Sequence, residues 1–476
     1  MAQELIPFGF EASGDKAFAG ANPVAYNVLI GGKGEIRRRP GLRYVGPTAA
    51  FSSYAISGLF VTDGGVTFAV DEEPGRRRFW RIKGTSAYDI TGAIAQGDLD
   101  GTARPVFAET EGYVFVTGGL NAMKINLLAV GTPPSRLGGS PPKATHVIAN
   151  TSRILVNRVE TPLSDVHFSA IGYGVAITPF ETWNTGIEAG SFIVQGKPDS
   201  VVALAETMRE VWAFGGQSVQ VYQPDPNVVY APTRMRERGL AAPYSVVKVD
   251  EVFFWLDQYR RFIAADNAGQ PKEISEAIAG TLDALTTVDD CYGTRITMNQ
   301  FDCVLWTFPT DKLQLCYQIG GGWSRWGTRD EGNWKTLPTK SFAFNRTTEA
   351  NLVGTTAGRV AEWSISALDD LGTPITAFAQ SGFMDRGSDN RKSCDSVKLA
   401  FDRPTSSDTT VVGTLRWRNE DGEWCSPLEL VLSSPDNVLV FNSLGVYRRR
   451  QWEIEFTASE EITLVAATES FTVQSN

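Results

Sequence analysis

The chain has 476 residues, 44 basic and 54 acidic, with a formal net charge of −10, 42% hydrophobic and 21% charged residues. That length provides for two or three domains with sizeable cores, and the ordinary hydrophobic content excludes disorder over most of the chain. The acid excess disfavours a protein that neutralises nucleic-acid phosphates over a broad basic face, and no stretch reaches the roughly 18 uninterrupted apolar residues of a membrane span.

The start, "MAQELIPFGF", lacks the basic region and long apolar core of a signal peptide, so the sequence predicts a soluble protein made in a cytoplasm. Residues 1–50 contain several glycines and few long strands, and read as an extended arm completing one of the domains that follow. Within the arm, "GEIRRRPGLRYVG" sets Arg37, Arg38 and Arg39 against a turn at Pro40 and Gly41. Further triplets stand at Arg76, Arg77 and Arg78 and at Arg448, Arg449 and Arg450. Such runs either decorate strand edges, where charge blocks unwanted pairing, or dock on carboxylates at protein interfaces through the planar arginine fork.

From residue 51 the apolar segments are short, rich in Val, Phe, Trp and Tyr, and punctuated by turn residues. Seven stretches share one plan: "LFVTDGGVTFAV", "VFAETEGYVFVTGG", "HVIANTSRILVN", "VVALAETMREVWAFGG", "VVKVDEVFFWLD", "RITMNQFDCVLWTF" and "FAFNRTTEANLVGTT". Each has an apolar strand, a polar turn and a second, more apolar strand. Their turns, near Asp63, Glu111, Thr151, Thr207, Asp250, Asn299 and Arg346, recur about every 47 residues. That period, with about four strands per unit, predicts a β-propeller of six or seven blades over residues 51–370. Trp80, Trp212, Trp255, Trp306 and Trp363 suit the wide space between blades. The stretch 273–287, with Ile274, Ile278, Leu282 and Leu285 at helical spacing, predicts one short helix between strands. After "SALDDLGTP" the strands lengthen, and residues 371–476 read as a β-sandwich.

No catalytic, cofactor-binding or metal-ligating residue stands out, and an enzyme is not expected. Asp63 to Phe68 resembles the Asp-box of sialidase-like propellers, with Val61 where that motif has serine; there the box is a structural hairpin. His146 and His167 fall in no metal or nucleophile motif. The glycine runs "IGGKGEI" and "IGGGWSRW" read as hairpin turns. Cys291, Cys303, Cys316, Cys394 and Cys425, with no CxxC pair, read as reduced and buried.

Three segments in order, "RRRPGLRYV", "RERGLAAPYSVVKVDEVFFWLDQYRRF" and "GVYRRRQWEIEF", resemble the packaged-DNA stabilisation proteins of short-tailed bacteriophages, also called tail nozzle or hub proteins. The resemblance runs over nearly the whole chain in the order and spacing of segments. It implies a propeller joined to a β-rich platform, with six copies ringing the tail axis below the head-to-tail adaptor and closing the DNA channel. It also implies a virion protein assembled in the bacterial host cytoplasm. The partners it implies are other copies of the chain, the adaptor, tail fibre, spike or needle proteins, and double-stranded DNA as transiting cargo. Arg37, Arg38, Arg39, Pro40, Gly41, Glu237, Gly239, Pro243 and Tyr244 match recurrent motif positions, and Arg448, Arg449 and Arg450 match the terminal basic strand, so these are the candidate assembly residues. The alternative is a propeller-based tail protein that binds a receptor or degrades glycans.

Overall fold

Short runs of Val, Phe and Trp closed by turn residues fold as antiparallel meanders of four strands. The computed structural model describes the chain except residues 1, 9–23, 32–34, 93–97, 100–102, 162, 185–187, 195–196, 198, 208, 267–268, 299–300, 331–332, 403–409, 421, 433–435, 459 and 475–476. The glycines of "IGGKGEI" at 32 and 34 and the turn at Asn299 lie outside the described residues.

The chain divides into two units, one of residues 44–296 and 338–362, the other of residues 1–43, 297–337 and 363–476. The first is a β-propeller. Five of its blades are four-stranded sheets over residues 56–89, 106–136, 147–193, 201–236 and 247–273. The sixth comprises Thr339–Asn345, Ala350–Thr355 and Val360–Ser364, beside which runs Gly41–Val45. The sixth sequence repeat, with its turn at Asn299, is divided: Tyr292–Met298 has residues up to 296 in this unit, whereas Phe301–Phe308, Leu313–Gln318 and Trp323–Arg325 belong to the other.

The repeat is visible in sequence for two reasons. Its first hairpins turn at left-handed positions, with Glu111 at φ 46° and Gly112 at 80°, and Thr151 at 47° and Ser152 at 54°, the geometry that matches strand twist. Its second strands, Thr67–Asp71, Tyr113–Thr117, Arg153–Asn157 and Glu210–Gly215, are buried at every residue, so they read as continuous rather than alternating apolar runs. Neighbouring blades share their cores. Phe68, Val70 and Phe79 pack with Val114, Val116 and Met123; Trp212 and Phe214 pack with Phe253 and Trp255; Trp80 and Leu59 pack with Leu352 and Val360. Each such side chain contributes about 1.5–3 kcal/mol by leaving water. The Asp-box-like segment is a hairpin, with Val61 opposite Thr67. The expected helix is a 3-10 turn Glu276–Ile278 running into Ala279–Asp283, with Ile278, Leu282 and Leu285 buried.

The second unit is a β-sandwich. In one sheet the order is Val28–Ile30, Ile36–Arg38, Thr463–Val473, Lys392–Asp402, Val438–Asn442, with Ala2–Leu5 also paired to Thr463–Val473. The other sheet includes Leu313–Gln318, Trp323–Arg325, Ala25–Tyr26, Ala377–Gln380, Arg450–Ala458, Val411–Asn419 and Leu428–Leu432. Phe401 of the first and Phe456 of the second meet edge to face at 5.6 Å, with Val397, Leu399, Leu415 and Ile454 buried around them. The contiguous segments suggested by the sequence, 51–370 and 371–476, are therefore not the observed units. Tyr26 pairs in parallel with Arg325 and antiparallel with Phe378, which builds the arm and the 297–337 segment into the sandwich.

Cys291, Cys303, Cys316 and Cys394 are buried and Cys425 partly so, all as free thiols. Among the described residues no helix is long and apolar enough to cross a membrane, and no group of three or more His, Cys, Asp or Glu is placed to hold a metal ion.

Candidate functional site

The arginine triplets divide by burial. Arg37 is partly buried and pairs with Glu461. Arg38 is buried and donates to the Leu368 and Ala458 carbonyls at 3.4 and 3.2 Å. Arg39 is 1% exposed and holds Asp370 of its own chain, and Pro40 and Gly41 beside it are buried. A Cβ on Gly41 would stand 2.3 Å from the Asp369 carbonyl oxygen, so the chain needs glycine there for close approach. Docking on a neighbouring subunit is thus closed to Arg39, Pro40 and Gly41, because all three are buried within their own chain.

At the other end Arg450 is 1% exposed, donates to Asn419 Oδ1 and the Leu444 carbonyl at 2.8 Å, and lies over the Tyr447 ring at 4.3 Å. It too is internal. Arg448 is exposed, and Arg449 is partly exposed beside Asp389 at 3.2 Å. Arg77 of the middle triplet is buried, and Arg78 bridges Asp71 and Glu73. In the mid-chain motif Glu237 is exposed, 4.0 Å from Lys197. Gly239 is buried, where a Cβ would meet the Gln217 nitrogen at 2.4 Å. The exposed candidates are therefore Glu237, Arg448 and, in part, Arg449.

Pro243 and Tyr244 go elsewhere, to a cavity of about 380 Å³ on the propeller axis walled by first strands of the blades. Tyr244 bridges in parallel to Tyr292, and its hydroxyl accepts from the Arg104 backbone N–H at 3.2 Å. The Arg104 guanidinium lies 3.7 Å from the centre of the Tyr292 ring and donates to the Lys340 carbonyl. Burial lowers its pKa, opposed by Tyr292, Tyr244 and Glu72; an arginine nonetheless keeps its charge.

His146 stacks on Tyr244 at 5.1 Å and 22°. Its Nε2 lies 3.2 Å from the Pro243 carbonyl, which can only accept, so Nε2 carries the proton and Nδ1 faces Thr145 Oγ1 at 3.1 Å. Burial pulls its pKa down to about 4, against the opposing hydrogen bond to Pro243. At neutral pH the ring is uncharged. The depressed value makes the unfolded chain the better proton binder between pH 6.5 and about 4, so stability is full above that window and falls as pH drops through it. The loss is on the order of 2 kcal/mol, below the full value of such a shift because the ring borders a cavity rather than close-packed core. Thermal melts from pH 7 to 4 should show this slope, and His146→Gln, which keeps an N–H for Pro243, should flatten it; equal slopes would refute the assignment.

Sequence reading singled out Pro243 and Tyr244 only as assembly candidates, and placed neither them nor Arg104, His146 and Tyr292 at a cavity. The available signal was phase: each stands at or just before the first strand of a repeat, where side chains converge on the axis.

No family model and no curated protein matches the sequence. Among solved structures, a streptogramin B lyase matches at 8% identity with a TM-score of 0.44, over 68% of this chain and 98% of that one. The extracellular domain of a putative one-component system from B. thetaiotaomicron matches at 9% identity with a TM-score of 0.46, over 83% of this chain and 48% of that one.

Proposed function

We propose that the chain is a structural virion protein, the tail nozzle or hub of a short-tailed bacteriophage. In this reading copies assemble as a ring below the head-to-tail adaptor, close the channel on packaged DNA and later form part of the ejection conduit. The observation that carries it is the ordered run of three segments, "RRRPGLRYV", "RERGLAAPYSVV" and "GVYRRRQWEIEF", on a chain that pairs a propeller with a sandwich.

Charge supports the same reading. Six copies at −10 carry about −60, and the part facing a lumen repels phosphates, so that duplex DNA slides without adhering. Retention then falls to loops that narrow the bore. Contacts with the adaptor and with tail fibre, spike or needle proteins fall to exposed charges such as Glu237 and Arg448, because Arg39 and Arg450 are occupied internally.

The test is electron microscopy of particles assembled with this gene stopped early. Heads that package DNA and then leak it, lacking the tail tip, are expected. Heads that stay full and merely fail to adsorb would overturn the nozzle reading in favour of receptor binding.

A further inference from the structure

We infer that the cavity on the propeller axis binds a small organic carboxylate. The inference is independent of the nozzle reading, since it concerns the interior of one propeller rather than the assembly of several chains.

Its basis is a charge left without a counterion. Among the described residues no carboxylate lies within ion-pair distance of Arg104. Glu72 acts on it only at longer range and sits 3.5 Å from Lys340. Lys248, the other cation lining the cavity, is paired with Glu206 at 3.6 Å. A guanidinium removed from bulk water gives up hydration that a carbonyl and a ring face replace only in part. The structure supplies the carbonyl of Lys340, the ring of Tyr292 and a side-chain hydrogen bond with Tyr292, none of which carries a full negative charge.

A carboxylate completes the set, because its two oxygens match the arginine fork. The walls suit the rest of such a molecule. His146 is neutral and stacked on Tyr244, which gives a flat face, and the cavity falls within the ordinary range of small-ligand sites. The arrangement of one fixed cation, aromatic walls and a few hydroxyls is that of an orienting site.

The probe is sodium benzoate, titrated calorimetrically into the full chain at constant ionic strength, with sodium chloride as the blank. Saturable binding with Kd of about 1 mM or tighter is expected, and Arg104→Met should weaken it about ten- to a hundredfold. Arg104→Lys keeps the charge without the fork and should weaken it less. Thr294→Glu, two residues along the strand from Tyr292 and itself lining the cavity, supplies an internal carboxylate and should abolish binding in a chain that needs no loss of arginine to fold. Arg346→Gln, on the exposed outer surface, should bind as the parent does. Absence of saturation up to about 50 mM, or unchanged affinity in folded Arg104→Met or Thr294→Glu, would overturn the inference.

Discussion

Asp370→Ala should destabilise the sandwich unit by about 3–5 kcal/mol, the range for stripping one partner from a buried ion pair. The Asp370 side chain is 1% exposed and that of Arg39 fully buried. Arg39 Nη1 donates to Oδ1 at 2.9 Å and Nη2 to Oδ2 at 2.5 Å, a paired fork. Its Nε donates to Asn27 Oδ1 at 2.8 Å, and the rings of Trp326 and Trp363 lie 5.6 and 5.8 Å from the guanidinium carbon. One side chain thus ties together the arm, the 297–337 segment and the strand Asp369–Asp370. Without the carboxylate the guanidinium stays buried with only dipoles and ring faces about it. Asp370→Asn should cost nearly as much, because shape is kept and charge is not. Arg39→Met with Asp370→Leu should recover most of the loss, since an apolar pair carries no desolvation cost. Urea unfolding of the full chain gives the comparison; a loss below about 1 kcal/mol in Asp370→Ala would mean that water reaches the guanidinium.

The same pair marks the limit of what sequence reveals. Blades were legible because their signals are local: a turn at Glu111 or Thr151 and a buried strand such as Tyr113–Thr117 are each specified within a few residues, and repetition amplifies them. The short helix was legible for the same reason. Unit boundaries were not, because they depend on pairings such as Tyr26 with Arg325 and Phe378, about 300 and 350 residues apart and only one or two residues long. The basic runs misled for a physical reason. Arginine is usually exposed, so three in succession read as surface, yet Arg38 and Arg39, at and just past the end of the strand Ile36–Arg38, are both buried, and Arg39 lies deepest in the interior. Whether it could remain there was decided by an aspartate 331 residues away. The axial cavity was not legible: Pro243 and Tyr244 stood out only as assembly candidates in a motif, and Arg104 and Tyr292 reach them only through closure of the propeller.

Glu469→Ala should cost a comparable amount, about 3–5 kcal/mol, at the other centre of the sandwich. Glu469 is fully buried and accepts from the Tyr447 hydroxyl at 2.6 Å and from Arg386 Nη2 and Nε at 2.8 and 3.1 Å. Burial and the neighbouring carboxylate hold the Tyr447 hydroxyl protonated well above its ordinary range, so it serves as donor throughout the accessible pH range. Alanine leaves Arg386, with 5% of its side chain exposed, and a buried hydroxyl both unanswered from this side. The strand that carries Glu469, Thr463–Val473, pairs with Ala2–Leu5, Ile36–Arg38 and Lys392–Asp402. Loosening it therefore frees both ends of the chain together. The damage should extend to Lys392, whose Nζ is held by the carbonyls of Ser388, Asn390 and Arg448 next to the exposed arginines. Hydrogen exchange resolved by segment separates the two centres: Glu469→Ala should raise exchange first in 392–402 and 463–473, and Asp370→Ala first in 25–30 and 36–45. Exchange that rises uniformly in both variants would show the sandwich to unfold as one cooperative unit, and the two buried pairs would then be indistinguishable contributors to a single core.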